Sequence, residues 1–343
     1  MARSFGRAAP AAAALATAAL ATVALAAATL AAGCTTPPHW SLPLDALDRV
    51  ALSVSERNPH DVWVVGGALG SGGDGLVLHY DGSAWTRSDP GSDATLWWVA
   101  PVDDTTAWAV GERGTVLELP SLAPVSAPTS DTLYGVWASA AGNVWIVGGE
   151  PDLSGVVLRR APDGTWTDLT PAGASGAFFK VWGSADDDVW ICGQTGALLH
   201  WNGSALAAVD VGLGNLPLFT VAGRNANDVY AVGGLGSAVA LHYDGATWTR
   251  LSDAAFSMLP GLNGVSVDSD GQTMIVGGGG TKLRGLPGRF ADESAQATRA
   301  DLHAASIVGG EIFVVGGNYL APAPAARMGV VAHYGKDIGS SVH

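Results

Sequence analysis

The segment 61–67 reads DVWVVGG, and close variants of it return six more times along the chain. They are TTAWAVG (105–111), NVWIVGG (143–149), DVWICGQ (188–194), DVYAVGG (228–234), TMIVGGG (273–279) and IFVVGGN (312–318). Each copy carries one large anchor residue: Trp63, Trp108, Trp145, Trp190, Tyr230, Met274 and Phe313. A unit of about 40 residues, repeated along the chain, is typical of propellers and solenoids.

Each unit reads as four short strands with turns rich in Gly and Asp between them. The run before each DVWVVGG-like segment is apolar, as in LWWVAPV (96–102), FFKVWGS (178–184) and LHAASIV (302–308). A third run follows the glycines, as in LVLHY (76–80), and a fourth is centred on Trp in SAWTR (83–87), TWTDL (165–169) and TWTRL (247–251). Four strands per repeat with recurrent aromatic residues predict an all-β fold, a seven-bladed β-propeller of four-stranded antiparallel blades.

The recurrent residues are interpreted as framework. Each anchor is expected to fill the space between adjacent blades. The glycines after it are expected to supply the positive φ of a tight turn, and Asp61, Asn143, Asp188 and Asp228 are expected to close the preceding turn with backbone bonds. His79, His200, His242 and His333 occupy one repeat position in the third strand and are interpreted as structural, whereas His303 is classed with the scattered histidines.

The last repeat has no fourth run, because only GKDIGSSVH follows its third strand. An unpaired third strand would expose backbone groups at a sheet edge. Residues 40–55 match 248–268 in order, with Trp first and an apolar run after a linker. We therefore expect Trp40–Leu44 to be the fourth strand of blade 7, closing the ring, and Val50–Val54 to begin blade 1.

These repeats resemble two known propeller families. Gly66-Gly67, Tyr80 and Trp85 follow the order of the Kelch repeat, and the turns YDGSAW, PDGTW and YDGATW are similar to degenerate Asp-boxes of sialidase-type (BNR) propellers. The resemblance covers about residues 50–343 and implies a bacterial Kelch/Asp-box-like propeller.

The N-terminus reads as an export signal, with Arg3 and Arg7 before a run of Ala, Leu, Val and Thr. Leu-Ala-Ala-Gly-Cys at 30–34 resembles the lipobox of bacterial lipoproteins, which implies cleavage before Cys34 and its lipidation; Thr35 after it favours the outer membrane. The alternative is an uncleaved membrane-spanning anchor. The expected organisation is a signal peptide at 1–33, a lipidated Cys and short tether at 34–39, and a propeller at 40–343.

Composition limits the partners. Without Arg3 and Arg7 the 17 basic residues fall to 15 against 31 acidic ones, a net charge of −16. This disfavours nucleic acid as a partner, because nucleic acid is bound through cationic patches.

The two cysteines of the chain are Cys34 and Cys192, so a lipidated Cys34 precludes an internal disulfide. Cys192 lies in an apolar strand and is expected to be a buried hydrophobic residue.

No motif in the sequence specifies a catalytic, metal or cofactor site. The acidic turns at Asp186–Asp188, Asp103-Asp104 and Asp268…Asp270 lack the ligand spacing that Ca²⁺ requires and are interpreted as solvated turns. Long connections between second and third strands occur in blades 1 (66–75) and 7 (316–329), which are neighbours in a closed ring. Since function concentrates in such loops, we predict a binding rim that includes Asp74, Tyr319 and Arg327.

The sequence thus favours a membrane-tethered, non-catalytic binding or scaffolding module for a protein, peptide or glycan. The alternative is an exported glycan-active enzyme, sialidase- or lyase-like. Two carboxylates or three arginines converging at the channel mouth would favour the enzyme.

Overall fold

Seven four-stranded antiparallel sheets follow one another along the chain, which confirms the seven-bladed β-propeller. The computed structural model describes residues 36–69, 75–319 and 328–343. The first strand of each blade packs against the first strands of its two neighbours, so these strands surround the axial channel. Within the described ranges no α-helix occurs, and the helical content is four single turns of 3₁₀ helix at Glu112–Gly114, Gln194–Gly196, Ala254–Phe256 and Gly278–Gly280.

The strands, in chain order, begin with β1 (His39–Leu47). Blade 1 contains β2 (Val50–Asn58), β3 (Asp61–Gly67), β4 (Leu76–Tyr80) and β5 (Trp85–Ser88). Blade 2 contains β6 (Leu96–Pro101), β7 (Ala107–Gly111), β8 (Val116–Leu119) and β9 (Ala123–Pro124). Blade 3 contains β10 (Leu133–Ala138), β11 (Val144–Gly148), β12 (Val156–Arg160) and β13 (Trp166–Asp168).

Blade 4 contains β14 (Phe178–Ala185), β15 (Asp188–Gly193), β16 (Leu198–Trp201) and β17 (Leu206–Ala208). Blade 5 contains β18 (Leu218–Asn225), β19 (Asp228–Gly233), β20 (Val239–Tyr243) and β21 (Trp248–Arg250). Blade 6 contains β22 (Leu262–Val267), β23 (Thr273–Gly277), β24 (Lys282–Gly285) and β25 (Ala291–Asp292). Blade 7 contains β26 (Asp301–Val308), β27 (Glu311–Gly317) and β28 (Gly329–Gly335).

The outermost strand of blade 7 is β1, which precedes blade 1 in the chain. It pairs antiparallel with β28, with Trp40 opposite Tyr334 and Leu44 opposite Val331. The C-terminal tail crosses in the other direction to the outer edge of blade 1, where the His343 N–H donates to the Trp85 carbonyl at 2.9 Å. The two ends of the described chain therefore join blades 7 and 1 from both sides.

Strand direction defines two faces of the disc. The inner strands begin at what we call the upper face, which also carries the turns between second and third strands and the links between blades. The lower face carries the turns that leave the inner strands and those that leave the third strands. Since β1 is antiparallel to β28 and starts opposite Gly335, His39 lies at the lower face.

Each anchor residue lies in a buried cluster between two blades. Trp63 packs with Leu96 and Val99 of blade 2, and Phe313 packs with Val54 and Trp85 of blade 1. The other five anchors occupy the equivalent clusters around the ring. The repeated segment is therefore the buried wedge of each blade, as its spacing predicts.

The first glycine after each anchor has a different role from the one predicted. Gly66 lies inside β3, and its φ is outside the left-handed range. A Cβ on Gly66 would overlap the Val50 carbonyl oxygen at the start of β2. Equivalent overlaps would occur in the other blades at Gly111, Gly148, Gly193, Gly233, Gly277 and Gly316. This glycine thus permits close backbone approach, while positive φ belongs to later glycines such as Gly149 and Gly234.

The acidic residues before the anchors also differ from their predicted role. Asp61 accepts a bond from His79 Nε2 at 2.8 Å, and the His79 ring stacks on the anchor Trp63 with centroids 4.1 Å apart. The same acid–His–anchor contact recurs at His200, His242 and His333. In blade 3 Asn143 accepts from Arg159 instead. These side chains bond across strands instead of closing the turn, and the histidines are held within the framework.

In the turns between first and second strands, acidic residues that come before the anchor segment make the backbone hydrogen bonds that were predicted for the residues next to the anchors. Asp103 accepts the N–H groups of Thr105 and Thr106, and Asp268 accepts those of Asp270 and Gln272. Among the described residues no group of three His, Cys, Asp or Glu side chains is arranged to hold a metal ion.

Cys192 is fully buried in β15, as its apolar strand predicts, and burial raises the pKa of its thiol to about 12.

One carboxylate is buried between blades 7 and 1. Glu56 in β2 is 7% exposed, and neither of its carboxylate oxygens makes a hydrogen bond of normal geometry. Burial raises the pKa of Glu56 to about 8; the Ser306 hydroxyl opposes this shift, whereas the nearby Glu311 adds to it. Since the folded-state pKa lies above that of the unfolded chain, folding favours protonated Glu56. This stability is present below about pH 4.5 and is lost as pH rises to about 8.

We therefore expect Glu56→Gln to stabilise the protein at pH 8 by roughly 1–3 kcal/mol, because Gln is neutral and removes the cost of keeping a carboxyl protonated, or burying it ionised, well above its ordinary pKa. The gain should shrink towards pH 5, where the folded protein holds a protonated Glu56. Calorimetric melting of both proteins at the two pH values checks this. Glu118→Gln, at a half-exposed strand position, is the matched control and should show no such difference; an equal gain at pH 5 and pH 8 would contradict the account.

Candidate binding site at the upper mouth of the channel

Every inner strand carries a β-bulge at the same repeat position, near its upper end. In blade 3, Leu133 pairs with Gly148 and Gly135 with Val147, so Tyr134 is the extra residue. The register shifts in the same way at the equivalent residue of the other six blades: Leu52, Trp97, Phe179, Phe219, Asn263 and His303. A bulge redirects a side chain out of the regular alternation, and six of these seven residues line one pocket at the channel mouth.

We call this pocket the axial cup. It has a volume of about 270 Å³ and is lined by Trp97, Tyr134, Phe179, Lys180, Phe219, Asn263, His303 and Tyr319. No carboxylate and no arginine occurs among these described lining residues. The two-carboxylate arrangement of a glycosidase is therefore not present in the described lining.

The wall of the axial cup is a nearly continuous ring of half-buried aromatic side chains. Ring centroids lie 5.2 Å apart for Trp97 and Tyr134, 5.5 Å for Tyr134 and Phe179, and 5.6 Å for Phe179 and Phe219. On the other side His303 lies 6.0 Å from Trp97 and 5.4 Å from Tyr319. Edge-to-face and tilted contacts at these distances are favourable, so the rings support one another.

Asn263 completes the circle between Phe219 and Tyr319. Its side-chain amide donates to the Tyr319 hydroxyl at 2.6 Å and to the Leu302 carbonyl at 2.8 Å. These bonds use both amide protons within the protein. The wall is therefore preorganised, because its polar member is fixed by the framework.

Lys180 forms the floor of the axial cup. Its ammonium group donates to the Tyr134 carbonyl at 2.8 Å and lies 4.3 Å from the centre of the Trp98 ring. Gly135 makes room for it, since a Cβ there would come within 3.0 Å of the Lys180 Cα atom. The side chain is 4% exposed, and burial lowers its pKa to about 7.

The His303 imidazole is held neutral. Its Nδ1 lies 2.5 Å from the Leu52 carbonyl oxygen, which can only accept, so Nδ1 carries the proton and Nε2 the lone pair. Burial, with a smaller contribution from the nearby Lys180 charge, lowers the pKa of His303 to about 3, against the opposing effect of the Leu52 carbonyl. Burial also raises the pKa of Tyr134, to about 12, and that of Tyr319.

Large apolar side chains are exposed on the same side of the disc. Leu153, Leu235 and Met328 lie in upper turns of blades 3, 5 and 7 and are 74%, 69% and 54% exposed. Met258 is fully exposed in the link from blade 5 to blade 6, beside Leu259, whose carbonyl accepts the Ala238 N–H of an upper turn. These four residues are available for contact with a partner that covers the upper face.

The predicted rim residues have different outcomes. Tyr319 lies in the wall of the axial cup, at the start of the long blade 7 connection. Asp74, Arg327 and Cys34 lie outside the described residues, so the structure does not place them.

The sequence alone did not lead to the aromatic wall. The prediction that His303 is one of the scattered histidines is wrong, because His303 occupies the bulge position of blade 7. The signal was present as the second letter of LWWVAPV, LYGVWAS, FFKVWGS, LFTVAGR, LNGVSVD and LHAASIV.

No helix in the described part of the chain is long and apolar enough to cross a membrane.

Comparison with solved structures supports the fold alone. A catalytically inactive virginiamycin B lyase from Staphylococcus aureus, solved with quinupristin, superposes with a TM-score of 0.66 at 12% identity, covering 85% of this chain and 99% of the lyase. YCF48 bound to a D1 peptide gives 0.62 at 14% identity, covering 88% of this chain and 96% of that one. The WD40 propeller domain of Doa1 gives 0.64 at 11% identity, covering 85% and 96%. No protein-family model and no curated protein matches the chain.

Proposed function

We propose that the protein is a lipid-tethered, non-catalytic binding module that holds an exported protein, peptide or glycan on its upper face. The observation that carries this is the axial cup, a preorganised aromatic pocket at the mouth of a rigid ring. Buried aromatic anchors supply most of the affinity in protein recognition. A fixed wall adds to it, because little side-chain freedom is lost on binding.

The surroundings of the axial cup favour a polypeptide over a glycan. Leu153, Leu235, Met258 and Met328 offer apolar contacts on the same face of the disc, and sugars would use these poorly. YCF48, which has a similar fold, has been solved bound to a D1 peptide, and this supports the choice of a polypeptide. The long connections of blades 1 and 7 begin and end at the upper face, where β3 and β27 end and β4 and β28 begin, and we retain Asp74, Tyr319 and Arg327 as a proposed binding rim.

The tether would direct the axial cup away from the membrane. We propose that Cys34 is lipidated, and four residues, 35–38, then separate it from β1, which begins at the lower face. Four extended residues reach roughly 14 Å, so the lower face would lie close to the bilayer. The upper face would point into the surrounding compartment, where a partner can reach it.

Single-cysteine labelling tests this orientation. A fluorophore at Lys336→Cys, on the lower face, should be strongly quenched by headgroup quenchers in vesicles that carry the lipidated protein. The same fluorophore at Leu235→Cys, on the upper face, should not be, because the thickness of the disc separates it from the lipid. Cys192 is buried and does not compete for the label. Equal quenching at both positions would reject the orientation.

Removal of the aromatic wall tests the binding site. Phe179→Ala with Phe219→Ala should weaken partner retention at least about tenfold, since each truncation removes a contact of hot-spot type. The measurement is quantitative co-purification from detergent-solubilised membranes. Phe290→Ala, just before the outermost strand of blade 6 and outside the lining of the axial cup, is the matched control. Equal retention by the wall variant and the control would remove the axial cup from the proposal.

A lyase-like enzyme is the second candidate function. It is favoured by the neutral His303, whose Nε2 could accept a proton in the axial cup, and by the fold shared with virginiamycin B lyase. Incubation of the mature protein with quinupristin, followed by mass spectrometry, tests it directly. Product that forms with the wild type but not with His303→Gln would favour the enzyme over the binding module.

A further inference from the structure

The chemistry of the axial cup indicates a more specific ligand than its shape alone. This inference rests on the proposed function, because it concerns what the same pocket holds. The wall presents aromatic faces and edges from five blades, and the volume of about 270 Å³ is at the small end for ligand pockets. A single aromatic or other flat apolar group fits such a space.

The N–H donors of Asn263 and His303 in the wall are already bonded within the protein. Asn263 donates to Leu302 and Tyr319, and His303 Nδ1 donates to the Leu52 carbonyl. Lys180 differs from them. Among the described residues its ammonium group makes one hydrogen bond, to the Tyr134 carbonyl, although an ammonium group has three protons to donate.

Among the described residues that line the axial cup, no carboxylate faces Lys180. It is the single formally charged residue in the described lining, and the titratable groups near it are His303, Tyr134 and the buried thiol Cys192. The Trp98 face and one carbonyl stabilise the ammonium only partly, and burial accordingly lowers its pKa. A ligand cation would meet this group unfavourably, whereas a ligand anion would complete its environment.

We propose that the axial cup binds an aromatic group that carries a carboxylate, with the ring against the aromatic wall and the carboxylate on the Lys180 ammonium. Two sources present this chemistry: a free aromatic acid, and the C-terminal residue of a peptide. Both place a flat ring within a few bonds of a carboxylate. In each case the carboxylate reaches the floor and the ring contacts Phe179 and Tyr134.

Calorimetric titration of the mature protein at pH 7 with phenylacetate and phenylacetamide tests the proposal. The two ligands share size and shape and differ in charge. Phenylacetate should bind at least about tenfold more tightly, since a hydrogen bond between charged groups contributes well beyond a neutral one. Lys180→Met should remove the difference. The pair N-acetyl-Gly-Phe with a free or an amidated C-terminus distinguishes the two sources: preference for the free carboxylate in the peptide pair alone would identify a chain end.

Proton uptake supplies a second readout. At pH 8 the binding of phenylacetate should take up a proton onto Lys180, seen as a binding heat that depends on the ionisation enthalpy of the buffer. In Lys180→Met the uptake should be absent; uptake that persists in this variant would contradict the assignment of the proton to Lys180.

The comparison of carboxylate with amide on the unmutated protein does not depend on a variant folding. Equal affinity within both pairs, or no binding of any of the four probes, would overturn the inference. The proposed function would survive that result if the wall variant Phe179→Ala with Phe219→Ala still lost its partner.

Discussion

Deletion of residues 40–44 should lower the free energy of unfolding by several kcal/mol. These residues contribute Trp40 and Leu44, both buried, to the outer strand of blade 7. Trp40 packs on Tyr334, and its indole N–H donates to Glu293 at 2.8 Å, so its loss also removes a contact with blade 6. Truncation of one buried Trp typically costs about 3–5 kcal/mol, and the deletion also leaves the β28 backbone unpaired.

Deletion of residues 35–38 is the matched control. It removes a similar length of chain just before β1 and leaves its pairing and buried side chains in place. Its thermal midpoint should match that of the intact mature protein, while the 40–44 deletion should melt far lower or fail to fold. Equal midpoints for the two deletions would show that blade 7 is completed without β1.

Substitution of Cys34 by Ala should move the protein completely out of the membrane fraction. If Cys34 is acylated on its thiol and its new amino group, as the lipobox resemblance implies, several acyl chains anchor the mature chain. Each buried CH₂ contributes about 0.8 kcal/mol, and more than one chain gives stable anchoring. With Ala at this position no acyl chain can be attached, so this anchor is lost.

Metabolic labelling with a fatty-acid analogue measures the effect. The wild type should be labelled and Cys34→Ala should not. Cys192→Ala, which changes the other cysteine of the chain, should be labelled like the wild type. Labelling of Cys34→Ala at the wild-type level would refute lipidation at this residue.

The repeat could be read from the sequence because the fold requires the same buried wedge seven times. Trp63 and its equivalents each fill one gap between blades, so their spacing reveals the number and size of the blades. The outer strands of blades 2, 4 and 6 had a weaker signal. They lack the Trp of TWTRL, as in Leu206–Ala208, and their backbone pairing defines them instead.

The axial cup was not predicted, because position and not residue type unites its members. Tyr134, Phe219, Asn263 and His303 share one repeat position but differ in chemistry. The direction of these side chains depends on the bulge. A bulge cannot be recognised by assuming that side chains alternate regularly between the two faces of a strand. The first glycine of the GG pair in DVWVVGG is related to the bulge. Gly66 and its equivalents lie opposite the residues next to the bulge, and the absence of a Cβ lets the backbone of the inner strand come close to them.

The role of Lys180 also required three-dimensional structure. In the sequence it is one polar letter within FFKVWGS, 46 residues from Tyr134 and 82 from Trp98. Only the closed ring brings these groups together, since they belong to blades 4, 3 and 2. A site assembled from several blades cannot be recognised as a contiguous motif.

Site-specific photo-crosslinking tests the central claim, that the upper mouth of the channel is the binding site. Benzoylphenylalanine would replace Phe219 in the axial cup or, as the control, Phe290 beside the outermost strand of blade 6 and outside the cup lining, in cells that export the protein. Irradiation should give discrete crosslinked species from position 219 and none of them from position 290. The same species from both positions, or crosslinks from position 290 alone, would contradict the account.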